Sequence, residues 1–239
     1  MTQKIYLKDS YIKELEATIM SANNNSVILD RTIFYPTGGG QPCDTGILKP
    51  VGKEIQYSVI ETKKSGDEVL HIVSDDSNLQ EGEKVLCIIN WGKRYMHMRL
   101  HTMLHIIDGI VYKKYSGEIT GGQIYDNSAR MDFDIPNFTR EMLNSIISDS
   151  QKIINEGHKV VPKEISREEA MKIEGIARTL PGAQLLEKLE TVRIIDIEGF
   201  DFQLDGGTHV ANTSEVGTIS LSKFENKGSH NKRVEFTLS

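Results

Sequence analysis

His101 and His105 stand at i and i+4 in the run RLHTMLHIIDGIVYKKY, and far downstream Asp205 and His209 repeat that spacing in DGGTH. If both pairs serve one ion, any fold this chain adopts must bring two distant segments together. Residues four apart on a helix share a face, so His101 and His105 can address an ion from one side. The second pair follows the β-like run TVRIIDI, and Gly206 and Gly207 are expected to let the backbone bend tightly around a ligand. Three imidazoles and one carboxylate suit zinc, one ion per chain. With seven histidines in the whole chain, two such pairs would be an improbable coincidence. A cysteine-free donor set leans toward a catalytic rather than a structural site. His97, one turn before His101, is read as a flanking surface residue or one that supports the ligands. Thr102 occupies the place of the glutamate base in an HExxH helix, which disfavours peptidase chemistry.

The chain has 239 residues, enough for one large or two ordinary domains. No apolar run approaches the roughly 20 residues of a membrane span, and the start, MTQKIYLKDSYIKELEA, lacks a signal-peptide core. The expected compartment is the cytoplasm, with no membrane partner. Cys43 and Cys87 are read as reduced thiols. A formal charge of −6 does not advertise nucleic-acid binding, and DNA is not an expected partner. Any phosphate contact must come from local patches: Lys93, Arg94 and Arg99, Lys113 and Lys114, or Lys223, Lys227, Lys232 and Arg233.

Residues 1–90 contain short β-like runs, SVILD, TIFY, IQYSVIET, EVLHIVS and KVLCIIN, and are expected to form a small β-rich domain. Helical periodicity follows through Leu100, Met103, Leu104, Ile107 and Val111, opening a second domain over 91–239. ITGGQIYDNSARMDFDI reads as extended, Thr139 to Glu156 as a helix stopped by Gly157, VVPKEIS as extended, and SREEAMKIEG as a short helix with a Ser166/Glu169 capping box. TVRIIDI is a strand, and VGTISLSKF with KRVEFTLS a terminal hairpin. The predicted class is α+β with mixed helices and antiparallel sheet. The run GGGQ at Gly38, Gly39, Gly40 and Gln41 lacks the lysine of a phosphate loop. It reads as a tight turn, or as a loop whose amides and Gln41 approach a polar ligand, with the turn favoured.

The motifs FYPTGGGQPCDTG, HTMLH, SARMDF, DGGTHVANTSEVG and KGSHNKRVEF, in this order along most of the chain, resemble the alanyl-tRNA editing family. That family comprises the editing domain of alanyl-tRNA synthetase and freestanding relatives called AlaX. The glycine-rich front domain is similar to the medium-length form. The resemblance implies metal-assisted hydrolysis, in trans, of alanine tRNA mischarged with serine or glycine. Carried over by position, the metal ligands fall on His101, His105, Asp205 and His209. Asp205 departs from the family's usual cysteine, and its hard oxygen is expected to admit divalent ions besides zinc. Gln41 is expected to orient water or the substrate's amino group and Thr32 to line the pocket, with Gly38, Gly39, Gly40, Gly206 and Gly207 near substrate. Arg94, Arg99, Lys223, Lys227, Lys232 and Arg233 are the candidate tRNA contacts. The rival readings are editing of another aminoacyl-tRNA, as by threonyl-tRNA synthetase, a noncatalytic metal-containing RNA-binding module, and a small-molecule metallohydrolase.

Overall fold

Period-two burial lays out the N-terminal part as strands, because successive side chains on a strand point to opposite faces. The computed structural model describes residues 1–74, 77–178, 180–228 and 232–239, so part of the KGSHNKRVEF motif, residues 229–231, lies outside the described residues. The chain divides into two compact units, Met1–Met96 and His97–Ser239. In the first are β1 (Gln3–Lys4), β2 (Glu14–Asn23), β3 (Ser26–Leu29), β4 (Arg31–Thr32), β5 (Gly46–Pro50), β6 (Tyr57–Ser65), β7 (Glu68–Val73) and β8 (Lys84–Ile89). Six of them close a barrel in the order β2-β3-β7-β6-β5-β8. Its interior is filled by Ile19, Val27, Leu29, Leu48, Val59, Val73, Val85 and Cys87 among others. A Cβ on Gly46 would lie 2.1 Å from the Ile88 carbonyl oxygen, so the β5–β8 seam closes only with glycine there.

The barrel corrects the strand reading in two places. TIFY contributes only Thr32 to a strand, while Ile33, Phe34 and Tyr35 are buried in irregular backbone. Strands β2 and β5 come from ELEATIMSAN and GILKP, whose charged or glycine-containing sequences hid them. Gly38–Gln41 is a two-residue hairpin turn, with Gly39 and Gly40 at φ 58° and 78° and reciprocal backbone bonds of 3.0 and 3.1 Å.

Two buried polar assemblies hold this unit. Asp44, just after the glycine turn, pairs with Arg94, and both side chains are fully buried. The Arg94 guanidinium also donates to the Ser10 and Ile33 carbonyls, while Asp44 accepts from the Tyr35 N–H. Arg94 therefore cannot serve as a phosphate contact, which corrects its assignment from sequence. The second assembly is a relay. Phe34 N–H donates to Thr32 Oγ1 at 3.0 Å, Thr32 Oγ1 lies 2.7 Å from His71 Nε2, and His71 Nδ1 lies 3.1 Å from the Val27 carbonyl. Only the carbonyl is restricted to accepting, so Nδ1 carries the ring proton and the Thr32 hydroxyl donates to Nε2.

The second unit takes helix α1 (Trp91–Tyr115) from its second turn onward, then β9 (Glu118–Ile124), β10 (Ser128–Asp134), α2 (Arg140–Glu156), β11 (Val160–Ser166), α3 (Arg167–Ala170), α4 (Leu180–Lys188), β12 (Thr191–Ile197), β13 (Asp201–Leu204), β14 (Ile219–Asn226) and β15 (Lys232–Leu238). Two antiparallel sheets result, β14-β15-β10-β9 and β11-β12-β13. The architecture is α+β. Thr139 caps α2 by accepting from Met142 N–H, and Gly157 ends it in the left-handed region at φ 74°. The Ser166/Glu169 capping box forms, but α3 ends at Ala170 rather than running on to Gly175, where φ 71° turns the chain.

Burial lowers the His71 imidazole to about 4 despite its bond to Val27. Between about pH 6.5 and 4 the unfolded chain binds this proton and the folded one does not, so stability falls as pH falls through that window. In urea unfolding, His71→Gln should flatten the pH dependence by about 1.4 kcal/mol per pH unit relative to the parent. An unchanged slope would show that His71 is not held neutral.

Candidate metal centre

Helix α1 is buried nearly all round between His97 and Gly109, as expected for a helix inside a core rather than on a surface. Leu100, Met103, Leu104, Ile107 and Val111 pack as the periodicity predicted, joined by Met98 and Ile106. His101 and His105 lie one turn apart on this helix. The other pair is delivered by the β12–β13 hairpin, whose ladder pairs Ile194 with Leu204. Beyond it, Asp205 N–H donates to the Arg193 carbonyl at 3.2 Å and Arg193 Nη1 donates to the Asp205 carbonyl at 2.8 Å. The Asp205 carboxylate in turn accepts from Gly207 N–H, which closes the turn and aims the side chain.

The four donor atoms of His101, His105, Asp205 and His209 lie within 4.8 Å of one another. Asp205 oxygens stand 3.5 Å from His101 Nε2, 3.8 Å from His105 Nε2 and 3.1 Å from His209 Nε2. A tetrahedral ion with bonds of about 2.0 to 2.2 Å separates its ligands by about 3.3 to 3.6 Å. The spacing therefore fits a single small divalent ion. Electrostatics agree. Burial lowers His101 to about 4, and burial with the neighbouring His101 holds His209 well below the ordinary imidazole range. Burial would raise the Asp205 carboxyl, but His101, His105 and His209 outweigh it and keep it well below the usual range. At neutral pH the carboxylate is ionised and both of these rings are neutral, which is the state that binds a cation. His97 is fully buried, so it is not the surface residue that one reading of its position allowed, and its Nε2 lies 3.6 Å from Asp126 Oδ1.

A buried ion network beside the cluster had no signal in the sequence. Arg178 pairs with Asp201 at 2.7 Å and with Asp108 at 3.1 Å, and its guanidinium lies 4.2 Å from the centre of the Tyr112 ring. Gln203 Nε2 donates both to Asp201 and to the His105 carbonyl. The network ties the helix that carries His105 to the strand that leads into Asp205. Burial raises the Asp108 carboxyl, with Arg178 opposing it. Spacing alone could not find it, because Asp108, Arg178 and Asp201 meet only through tertiary structure.

Thr32 and Gln41 are fully buried in the first unit, Thr32 in the His71 relay and Gln41 at the end of the glycine turn. Neither Gly206 nor Gly207 takes a positive φ, so the turn into the metal centre does not rest on glycine's conformational freedom. Arg99, part-buried, donates to the Glu215, Val216 and Ser239 carbonyls and so braces the chain internally. Lys223, Lys227, Lys232 and Arg233 do lie together on the β14–β15 hairpin. Their partners are Glu225 for the first two, Asn226 for Lys232 and Asp132 for Arg233.

Residues 2–93 match the family model for class II (A) tRNA synthetases, and residues 192–235 that for the threonyl and alanyl tRNA synthetase second additional domain. With the donor cluster, these matches define a synthetase-related, metal-binding module. The whole chain is 41% identical over 239 residues to the alanyl-tRNA editing protein AlaX-M of Saccharolobus solfataricus, covering 99% of it. It is 36% identical to AlaX-M of Methanosarcina mazei, covering 97%. It also aligns over 229 residues, at 34% identity, with a quarter (25%) of the alanine–tRNA ligase of Saccharolobus islandicus. The chain belongs to the AlaX-M family of alanyl-tRNA editing proteins, and with its ligand cluster it is a hydrolase.

Arg178→Met leaves Asp108 buried without the Arg178 cation and Asp201 with only Lys113, 3.8 Å away. A loss of about 3 to 5 kcal/mol in urea unfolding is expected, and a loss below about 1 kcal/mol would show that the network is not the clasp described.

Proposed function

We propose that this protein removes serine, and glycine, from mischarged alanine tRNA by hydrolysing the ester at the tRNA 3′ end, with zinc as its resident ion. The observation that carries this is the convergence of His101, His105, Asp205 and His209 in a chain aligned from end to end with AlaX-M relatives. An ion held by these four would supply Lewis acidity, polarising the ester carbonyl and lowering the pKa of water to about 7. The protein's part is geometric. Helix α1 presents two imidazoles from one side, and the 205–209 turn presents a carboxylate and a third imidazole from the other. The Gly207 amide and Arg193 hold Asp205 so that its charge stays inside the cluster. His101, His105 and His209 are each less than 10% exposed, so the reacting centre is shielded from bulk water.

Discrimination against correctly charged alanine is chemically accessible. A site that hydrogen-bonds the serine hydroxyl can reject the analogue lacking it by about 10⁴ to 10⁵. The hard oxygen of Asp205 broadens the set of usable ions beyond zinc, toward manganese and cobalt. On the β14–β15 hairpin Lys223 and Lys227 form surface ion pairs with Glu225, which exchange readily for phosphate contacts and are screened by salt.

The test is deacylation of serine-, glycine- and alanine-charged alanine tRNA by metal-quantified protein, beside a His101→Ala, His105→Ala variant. Serine and glycine should be released, alanine spared, and the variant should fall to the enzyme-free rate. Chelation should abolish release and zinc should restore it. Rapid alanine release, or full activity without the two histidines, would defeat the reading. Gln41→Ala in the same assay decides whether the glycine turn takes part, since a parental rate removes it from the mechanism.

A further inference from the structure

Thr102 lies between the two ligand histidines of α1 and is fully buried. Its Oγ1 is 3.1 Å from His209 Nδ1 and accepts the Val210 N–H at 3.3 Å. On the other side of the same ring, His209 Nε2 is 3.1 Å from the Asp205 carboxylate. The ring is therefore gripped at both nitrogens, by an acceptor-only group on one side and by a hydroxyl on the other. We propose that Thr102 is a positioning residue for the metal centre: its hydroxyl bonds His209 Nδ1 in either ring tautomer, and so holds the imidazole with Nε2 turned toward the ion. This rests on the metal-dependent reading above.

A hydroxyl both donates and accepts, whereas a carboxylate only accepts. In the structure as it stands, Nε2–H donates to Asp205 and the Thr102 hydroxyl donates to the Nδ1 lone pair. With an ion on Nε2, the ring proton must sit on Nδ1, and the Thr102 oxygen at 3.1 Å is placed to accept it after the hydroxyl rotates. One proton leaves Nε2 for solvent and one arrives at Nδ1, so the imidazole stays neutral and no net proton is released. A glutamate at this position, as in a peptidase helix, would favour the Nδ1–H form alone and add a second buried negative charge. Threonine serves both forms with no added charge.

The experiment measures zinc and cobalt affinity of the metal-free full-length chain, by competition with a chromogenic chelator, for the parent, Thr102→Val and Thr102→Ser. Valine keeps the shape and removes the hydroxyl, and a loss of about 10- to 100-fold is expected. Serine should restore affinity to within a few-fold. A folded valine variant with parental affinity, or a folded serine variant as weak as valine, would overturn the assignment. Nitrogen-15 spectra of the histidine rings in the zinc-loaded parent test it without any variant. The assignment requires a protonated Nδ1 and a zinc-shifted Nε2 on His209, and the reverse pattern would overturn it. If the parent binds no divalent ion at all, both the assignment and the metal reading fall; ion binding with an insensitive Thr102 removes only the assignment.

Discussion

Holding one carboxylate among three imidazoles, with most water removed, is the constraint on which the C-terminal unit depends. Polar groups taken out of water are destabilising unless each finds a partner. Here the partners are partly the donors themselves and partly the frame around them. Asp205 is fixed by an amide and braced through Arg193, while His209 is held from both sides. A helix buried on nearly every face between His97 and Gly109 supplies the rigidity, since a well-packed interior does not let a backbone drift by the few tenths of an ångström that a small ion would feel. The surrounding ion network resists the same drift from the strand side.

The ligand set was legible because it is encoded as local spacing. HTMLH on a helix and DGGTH in a turn each present a pair without reference to the rest of the fold. Helix α2 and strand β12 were legible for a similar reason: Thr139 and Gly157 mark the helix ends as capping chemistry requires, and TVRIIDI is β-branched at five of its seven positions. What stayed hidden depends on tertiary approach. Arg94 read as a surface cation because nothing in its neighbourhood announces a buried Asp44 fifty positions upstream. Thr102 read only as the absence of a glutamate, and its hydrogen bond to His209 spans a sequence separation of 107. Barrel closure was invisible too, since ELEATIMSAN alternates weakly and GILKP begins with a glycine that only the neighbouring strand explains.

The two units use glycine differently. In the barrel, Gly39 and Gly40 adopt positive φ to make a two-residue reversal, and Gly46 yields space to a carbonyl. Around the metal centre the DGG sequence invites the same interpretation, but the turn there is made by a side chain: the Asp205 carboxylate bonds the amide two residues on. One residue thus shapes the loop and offers an oxygen to the cluster, so changes at this position act on backbone and donor chemistry together.

The buried pairing of Arg94 with Asp44 bears on how the chain can be divided. Strand β8 ends at Ile89 and the helix starts at Trp91, so the natural place to cut by secondary structure is Asn90. A fragment ending there would expel the arginine and keep the aspartate, placing an uncompensated negative charge in the interior beside the glycine turn. The Ser10 and Ile33 carbonyls would lose their donor as well. For this protein the autonomous barrel is one that retains the opening turns of the following helix, and its boundary is set by a charge rather than by the end of a strand.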